Sequence, residues 1–339
     1  MTERELRVLE AVVQCYIETA EPAGSQTIAR RFGLGVSPAT IRNTMSELED
    51  KGYLFHPHTS AGRIPTDRAY RVYVDEIMRM APPSNEAKQA LRSELTGSRS
   101  PLEEIVRRAA QVLGVLTQEL GVAVAPALDE LLLERLELVQ VTSERLLLVF
   151  NLRSGVVRTI FVEVTARLTP AVVQEVAHIL NERLAGLTLL QIRTSINERL
   201  RDAGGGDGGR ELLNIFIAER EGIFDLSNEP NAVMLGSAQM LAEQPEFASN
   251  SRMRDLLRLT EGRDLLKQAL ASRRTRGLSI TIGGENPDSR LSGFTLVTSS
   301  YEAGALRGVI GVMGPTRMPY DKIIGLVEHT SRLVEGLLE

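Results

Sequence analysis

Apolar side chains recur at Leu6, Leu9, Val13, Tyr16 and Ile17, the three-and-four spacing of a helix with one buried face over residues 4–20. Pro22 and Gly24 break the pattern, and Ser25 is suited to cap a short second helix, SQTIARRF. Gly33 and Gly35 supply a tight turn, since glycine reaches positive φ at little cost. Ser37-Pro38, a capping serine followed by proline, opens a third predicted helix that stops at Gly52. Along it Ile41, Met45 and Leu48 fall on one side, and Ala39, Thr40, Arg42, Asn43 and Ser46 on the other. Residues 52–55 then read as a short strand, and residues 56–65, HPHTSAGRIP, as a turn-rich hairpin with Arg63 at its tip. Thr66 or Asp67 caps the next helix, RAYRVYVDEIMRM.

Beyond a polar, proline-bearing linker at residues 81–87, helical spacing returns at 86–96 and 101–120, separated by GSRSP. Three β-branched stretches, 132–141, 144–151 and 155–164, are joined by Thr-Ser and Arg-Ser-Gly turns and predict an antiparallel meander. Three more strands are expected near 278–284, 292–299 and 305–313, before a closing helix at 319–338. About a hundred mostly helical residues separate the two strand groups. That order predicts one sheet domain interrupted by an insertion, whose first helix starts at Thr169-Pro170 and whose second covers 188–201. A leucine-rich helix from Met253 to Leu270 returns the chain to the sheet.

At 339 residues the chain is long enough for two or three domains, and 43% hydrophobic with 24% charged residues fits a globular protein. The absence of a long uninterrupted apolar run argues against a membrane span, the acidic start against a signal peptide, and the single Cys15 against disulfides. A cytoplasmic protein is expected. Net charge is −5, and residues 1–80 carry ten Lys/Arg against eleven Asp/Glu, so charge does not by itself mark a nucleic-acid binder. Placement matters more, because a phosphate feels charge only within about 10 Å. From Arg30 to Tyr73 seven basic residues face four acids. On the third helix Arg42 can fork onto guanine, Asn43 onto adenine, and Ala39 or Thr40 can touch a thymine methyl.

Other motifs carry less. His56 and His58 form an H-x-H pair with no further ligand at zinc spacing, so neither a metal nor a cofactor is expected. GGGDGG at 204–209 lacks the Gly-Lys-Ser/Thr of a phosphate loop and reads as a flexible surface loop. His178 and His329 stand alone on helices, Cys15 reads as a packed thiol, and no nucleophile or paired-carboxylate constellation anchors catalysis.

The stretch Ser37–Ile77, SPATIRNTMSELEDKGYLFHPHTSAGRIPTDRAYRVYVDEI, resembles the signature of the HrcA heat-inducible transcription repressors. Near the other end, GVIGVMGPTRMPYDKII at 308–324 is similar to that family's second signature. The middle of the chain matches more weakly. Ala69 stands where the family usually has glycine, Pro38 replaces a more common serine, and GSAQML at 236–241 departs from the usual wording.

The resemblance implies an α+β multidomain chain. Its expected parts are a winged helix-turn-helix at 1–80, a linker and helix at 81–100, a GAF-like antiparallel sheet domain at 101–166 and 251–339, and an inserted, mostly helical dimerisation domain at 167–250. It implies a homodimer that binds double-stranded operator DNA at an inverted repeat called CIRCE, represses chaperone operons, lets go on heating and is supported by a chaperonin of the GroEL type. Ala39, Thr40, Arg42, Asn43 and Ser46 are expected to read bases, and Ser37, His58, Thr59, Ser60 and Arg63 to hold phosphates. The alternatives are a GAF-type regulator that senses a small molecule, a protein-binding module, and an enzyme.

Overall fold

Thr2 starts the first helix with a reciprocal cap: its hydroxyl accepts from the Glu5 amide while Glu5 accepts from the Thr2 amide. The computed structural model describes residues 1–57, 62–96, 102–126, 131–153, 157–164, 168–203, 206–225, 233–274, 277–303 and 306–338. Helices α1 (Glu3–Thr19), α2 (Ser25–Phe32) and α3 (Pro38–Asp50) follow the expected pattern, except that Gly24, not Ser25, caps α2. Gly33 and Gly35 take positive φ. Ile41, Met45 and Leu48 are buried, each contributing roughly 1.5–3 kcal/mol of transfer free energy. Strands β1 (Leu54–Phe55) and β2 (Ile64–Pro65) form a short antiparallel hairpin. Helix α4 (Asp67–Val72), capped by Thr66, widens into a π-helical turn at Tyr73–Ile77 and ends there, short of the expected Met80.

Helices α5 (Asn85–Leu95) and α6 (Leu102–Thr117) come next; Ser84 caps α5, so the connecting segment is 78–84, three residues earlier than the expected 81–87. The remaining strands are β3 (Leu120–Val124), β4 (Leu133–Thr142), β5 (Arg145–Leu152), β6 (Val157–Glu163), β7 (Val233–Leu235), β8 (Leu278–Ile282), β9 (Phe294–Ala303) and β10 (Leu306–Pro315). The remaining helices are α7 (Pro170–Leu184), α8 (Leu189–Leu200), α9 (Asp207–Ala218), α10 (Arg220–Phe224), α11 (Gln239–Ala242), α12 (Asn250–Glu261), α13 (Arg263–Ala271) and α14 (Tyr320–Leu338).

The six expected strands do not share one sheet. Strands β4, β5 and β6 form a separate three-stranded sheet, whereas β8, β9 and β10 join β3 and β7 in the order β7-β3-β10-β9-β8. The chain accordingly divides into two compact units, one of residues 1–125, 233–301 and 309–338, the other of 126–232 and 302–308. The boundary expected at 166/167 therefore falls inside the second unit, and the chain returns to the larger sheet at β7, before residue 251. Alternation along a strand reveals which face is buried, but not which strand lies alongside.

Both faces of the five-stranded sheet are covered. Ala123, Ile310 and Val312 pack toward α6 and α14, in a core continuous with that of α1–α4. Val122, Val124, Leu296 and Val309 pack toward α12 and α13. The leucine-rich stretch is two helices, broken at Gly262. In the second unit the inner side of the meander, Leu136, Leu146, Leu148 and Phe150, is buried, with α7 against β4. Of the glycine run, Gly204 and Gly205 lie outside the described residues. Gly206 caps α9, and Gly208 and Gly209 are helical and close to Val172 and Val176, so this part is a packed helix start, not a loop.

Ionic and aromatic contacts fix α1–α4 on the larger sheet. Arg71 pairs with Glu285 and donates to the Ile280 carbonyl at 2.8 Å; the Gly284 amide donates to Asp67 at 2.8 Å. Arg317, within the second family-like motif, donates to the Ile17 carbonyl at 2.7 Å and pairs with Glu246. Tyr70 packs on Tyr320 with ring centroids 5.9 Å apart.

Glu119 lies behind this contact, 2% exposed, and accepts a hydrogen bond from Gln244 Nε2 at 3.1 Å. Burial pushes its carboxyl well above the usual value of 4.5, opposed by the Gln244 bond and the Arg317 charge. A raised folded pKa gives a stabilising contribution that is full below the unfolded value and is lost as pH rises through the folded one. Glu119→Gln is therefore expected to raise Tm at neutral and alkaline pH and change little below about pH 4. Thermal unfolding across that range checks it; an equal shift at every pH refutes the assignment.

Candidate nucleic-acid interface

Ser37 caps α3 by accepting from the Thr40 amide at 3.2 Å, and its hydroxyl also meets the Thr40 hydroxyl at 3.0 Å. Burial of Ile41, Thr44, Met45 and Leu48 turns the opposite side of α3 outward, so Ala39, Arg42, Asn43 and Ser46 are all exposed and Thr40 is half-buried. Ser37 stays exposed at the helix N-terminus.

The far end of α3 is also tied down. Lys51 pairs with Glu5, holding that carboxyl down at about 2, chiefly through the hydrogen bond between them. Arg68 donates to the Lys51 carbonyl at 3.1 Å and lies over the Tyr53 ring at 4.6 Å. Helix α3 is thus fixed against α1 and α4, and the position of its outer row is set before any ligand arrives.

Beside that row lies a concave surface of about 390 Å³. Arg42 lines it with Arg30, Gln26 and Thr27 of α2, and with His56 and Arg63 of the hairpin. Gly24 provides no side-chain cap, so the first amides of α2 face the concavity without a local side-chain acceptor. Arg30, Gln26, Thr27 and His56 were not among the sequence-predicted residues. The outward positions of a short amphipathic helix do not tell which neighbour they will meet.

Arg63 is placed differently from expectation. It stands in the hairpin stem, not at the tip, because its amide and carbonyl exchange hydrogen bonds with Ala23, both at 2.9 Å. Its Nε lies 2.7 Å from Glu49, and its side chain is 17% exposed. The Glu49 carboxylate offsets its charge, so Arg42 and Arg30 are the more available cations here. His58, Thr59 and Ser60 lie outside the described residues. Among the described residues no group of three or more His, Cys, Asp or Glu side chains is placed to hold a metal.

A family model described as the HrcA protein C terminal domain matches residues 103–324. A heat-inducible transcription repressor HrcA from Chlorobium phaeobacteroides (strain BS1) is 38% identical over 340 residues, covering 97% of this chain and 96% of that protein. A protein of the same name from Prosthecochloris aestuarii (strain DSM 271 / SK 413) is 37% identical, covering 97% of this chain and 95% of its own length. Among solved structures, a crystal structure of a hypothetical protein at 2.2 Å resolution superposes with a TM-score of 0.67 at 22% identity, covering 100% of this chain and 98% of that one. That last likeness concerns the fold.

Proposed function

The chain belongs to the HrcA family of heat-inducible transcription repressors, and from that premise we propose that residues 1–80 are a winged helix-turn-helix that holds an inverted-repeat operator of the CIRCE type. The observation that carries this reading is the outward row Ala39, Arg42, Asn43 and Ser46, set beside Arg30 and the α2 N-terminus on one concave face. Helix α3 enters the major groove with its N-terminal half, where Arg42 and Asn43 read base edges and Ala39 and Thr40 meet thymine methyls. Ser37, Arg30, His56 and the α2 amides hold phosphates, joined by the β1–β2 wing through Arg63, His58, Thr59 and Ser60. The five-stranded sheet with its helices is the GAF-like part, and residues 126–232 are the inserted dimerisation part. Cytoplasmic residence follows from this role; among the described residues no helix is long and apolar enough to cross a membrane.

A homodimer is supported by the outer face of the small sheet. Val139, Leu147 and Phe161 stand in register across its three strands, and Val139 and Phe161 are 47% and 54% exposed. Arg145 and Glu163, paired in register at the end of the same face, supply opposite charges that a two-fold partner can match. Two winged units at fixed spacing then meet two half-sites. Chaperonin support rests on the family resemblance: a repressor of marginal stability is readily titrated by unfolded chains competing for the chaperonin.

Binding of an operator-length duplex against a scrambled one, at one salt concentration, tests the function directly. Arg42→Ala is expected to cost about 1–3 kcal/mol and to relax specificity at a single operator position. Unchanged affinity and specificity would remove Arg42 from the reading face, and equal binding of scrambled DNA would overturn the operator reading.

A further inference from the structure

Helix α14 carries His329 beside α5 and the segment 80–83, and the buried Nε2 atom of its imidazole has no hydrogen-bond partner among the described residues. His329, Lys88 of α5 and Arg332 of α14 line an open pocket of about 360 Å³ whose apolar wall is Met80, Pro82 and Pro83. Arg92, one helical turn beyond Lys88, adds a third positive charge that acts on the imidazole. Glu328 is the one lining carboxylate among the described residues, and it lies 3.6 Å from Arg332. Lys88 and Arg92 make no ion pair among the described residues. No described charged side chain of α6, which also packs on α14, enters the lining.

Positive charges gathered round an imidazole nitrogen that lacks a partner leave the pocket electrostatically unbalanced. Burial, then Lys88, Arg92 and Arg332, hold the His329 pKa below its ordinary 6.5, so the ring is neutral at pH 7. A phosphate group between Lys88 and Arg332 would balance the cations, and its charge beside the imidazole would favour the protonated ring. The pocket volume lies at the small end of ligand sites, which suits a metabolite and not a polymer.

We propose that this pocket binds the phosphate group of a small molecule, held by Lys88 and Arg332 beside the His329 ring. Its position gives binding a structural consequence. A Cβ on Gly325 would lie 2.4 Å from the Ala81 carbonyl oxygen, and the Ala81 amide donates to the Asp321 carbonyl at 3.2 Å. The segment that joins residues 1–80 to α5 is therefore pressed against α14 at the pocket wall, where a bound anion tightens it.

The test is an NMR titration of the histidine ring protons of the full-length protein, with inorganic phosphate compared with chloride at matched ionic strength. His329→Gln assigns the signal. Phosphate is expected to raise the His329 midpoint by about one pH unit, as a nearby opposite charge does, and to saturate. The same addition slows hydrogen exchange at the Ala81 amide. The double variant Lys88→Gln/Arg332→Gln, at one half-buried and one exposed position, is expected to lose both responses. An identical midpoint in phosphate and chloride overturns the proposal, as does a response that the double variant retains. No DNA enters the measurement, so its failure would leave the operator reading intact.

Discussion

Phe161→Asp is expected to leave the protein monomeric and to weaken its hold on a two-half-site operator by about 10²–10⁴-fold, the size of a lost second binding event made effectively intramolecular. Phe161 is the outermost member of the apolar row that starts at Val139 and passes through Leu147, and an aspartate there would remove the ring and put a carboxylate into any contact that covers the row. Because the side chain is more than half exposed, the substitution should spare the folded protomer, which circular dichroism verifies. Sedimentation measures the oligomeric state, and a duplex with a single half-site provides the control, since its affinity should not change. Val157→Lys, at a second exposed position of the same small sheet, is expected to act alike. A dimer that survives both substitutions would place the interface elsewhere.

The same pair of measurements bears on heat release. If the sheet-face contact opens before the winged unit melts, operator binding and dimer content fall together on a temperature ramp, because the two-site advantage goes with the interface. Release from an intact dimer would instead put the heat-sensitive step within the contacts Arg71–Glu285 and Arg317–Ile17 that fix α1–α4 on the larger sheet.

The outward row of α3 was legible because one spacing settles two faces. Once Ile41, Met45 and Leu48 are assigned inward, Ala39, Arg42, Asn43 and Ser46 must point out, and they do. Pairing across the sequence was not legible. The run LGVAV after α6 is too short and too uniformly apolar to be told from a continuing helix, and it is the strand β3, between β7 and β10 in the larger sheet. The meander was legible as three strands, but nothing local distinguishes joining β8–β10 from folding with α7. Arg63 was misplaced because the length of a turn-rich loop does not locate its apex; a backbone bridge to Ala23, forty residues earlier, does. Glu119 and Arg317 gave no local signal, since an acid or a base inside a helix end or turn is ordinary until its burial is known.

That bridge makes Gly62 the position where the smallest change should have a large effect. A Cβ there would lie 2.4 Å from the Ala23 carbonyl carbon and oxygen and 2.5 Å from the Pro22 oxygen, all backbone atoms that no side-chain rotation can move aside. Gly62→Ala must therefore push the β1–β2 stem off the α1–α2 turn and break the two Ala23–Arg63 hydrogen bonds. Overpacking of this kind costs about 1–3 kcal/mol, and two lost hydrogen bonds add roughly 1 kcal/mol each. The helical core does not depend on the stem: Val12, Ile28, Ile41 and Leu48 are fully buried among the helices. The protein should thus stay folded while the wing and its Arg63 leave the concave face shared with Arg42 and Arg30. Fast hydrogen exchange at the Ala23 and Arg63 amides, together with loss of operator binding, is the expected result. Wild-type operator affinity in a variant whose stem amides exchange freely would show that α3 binds without the wing, and would confine the site to the helix-turn-helix alone.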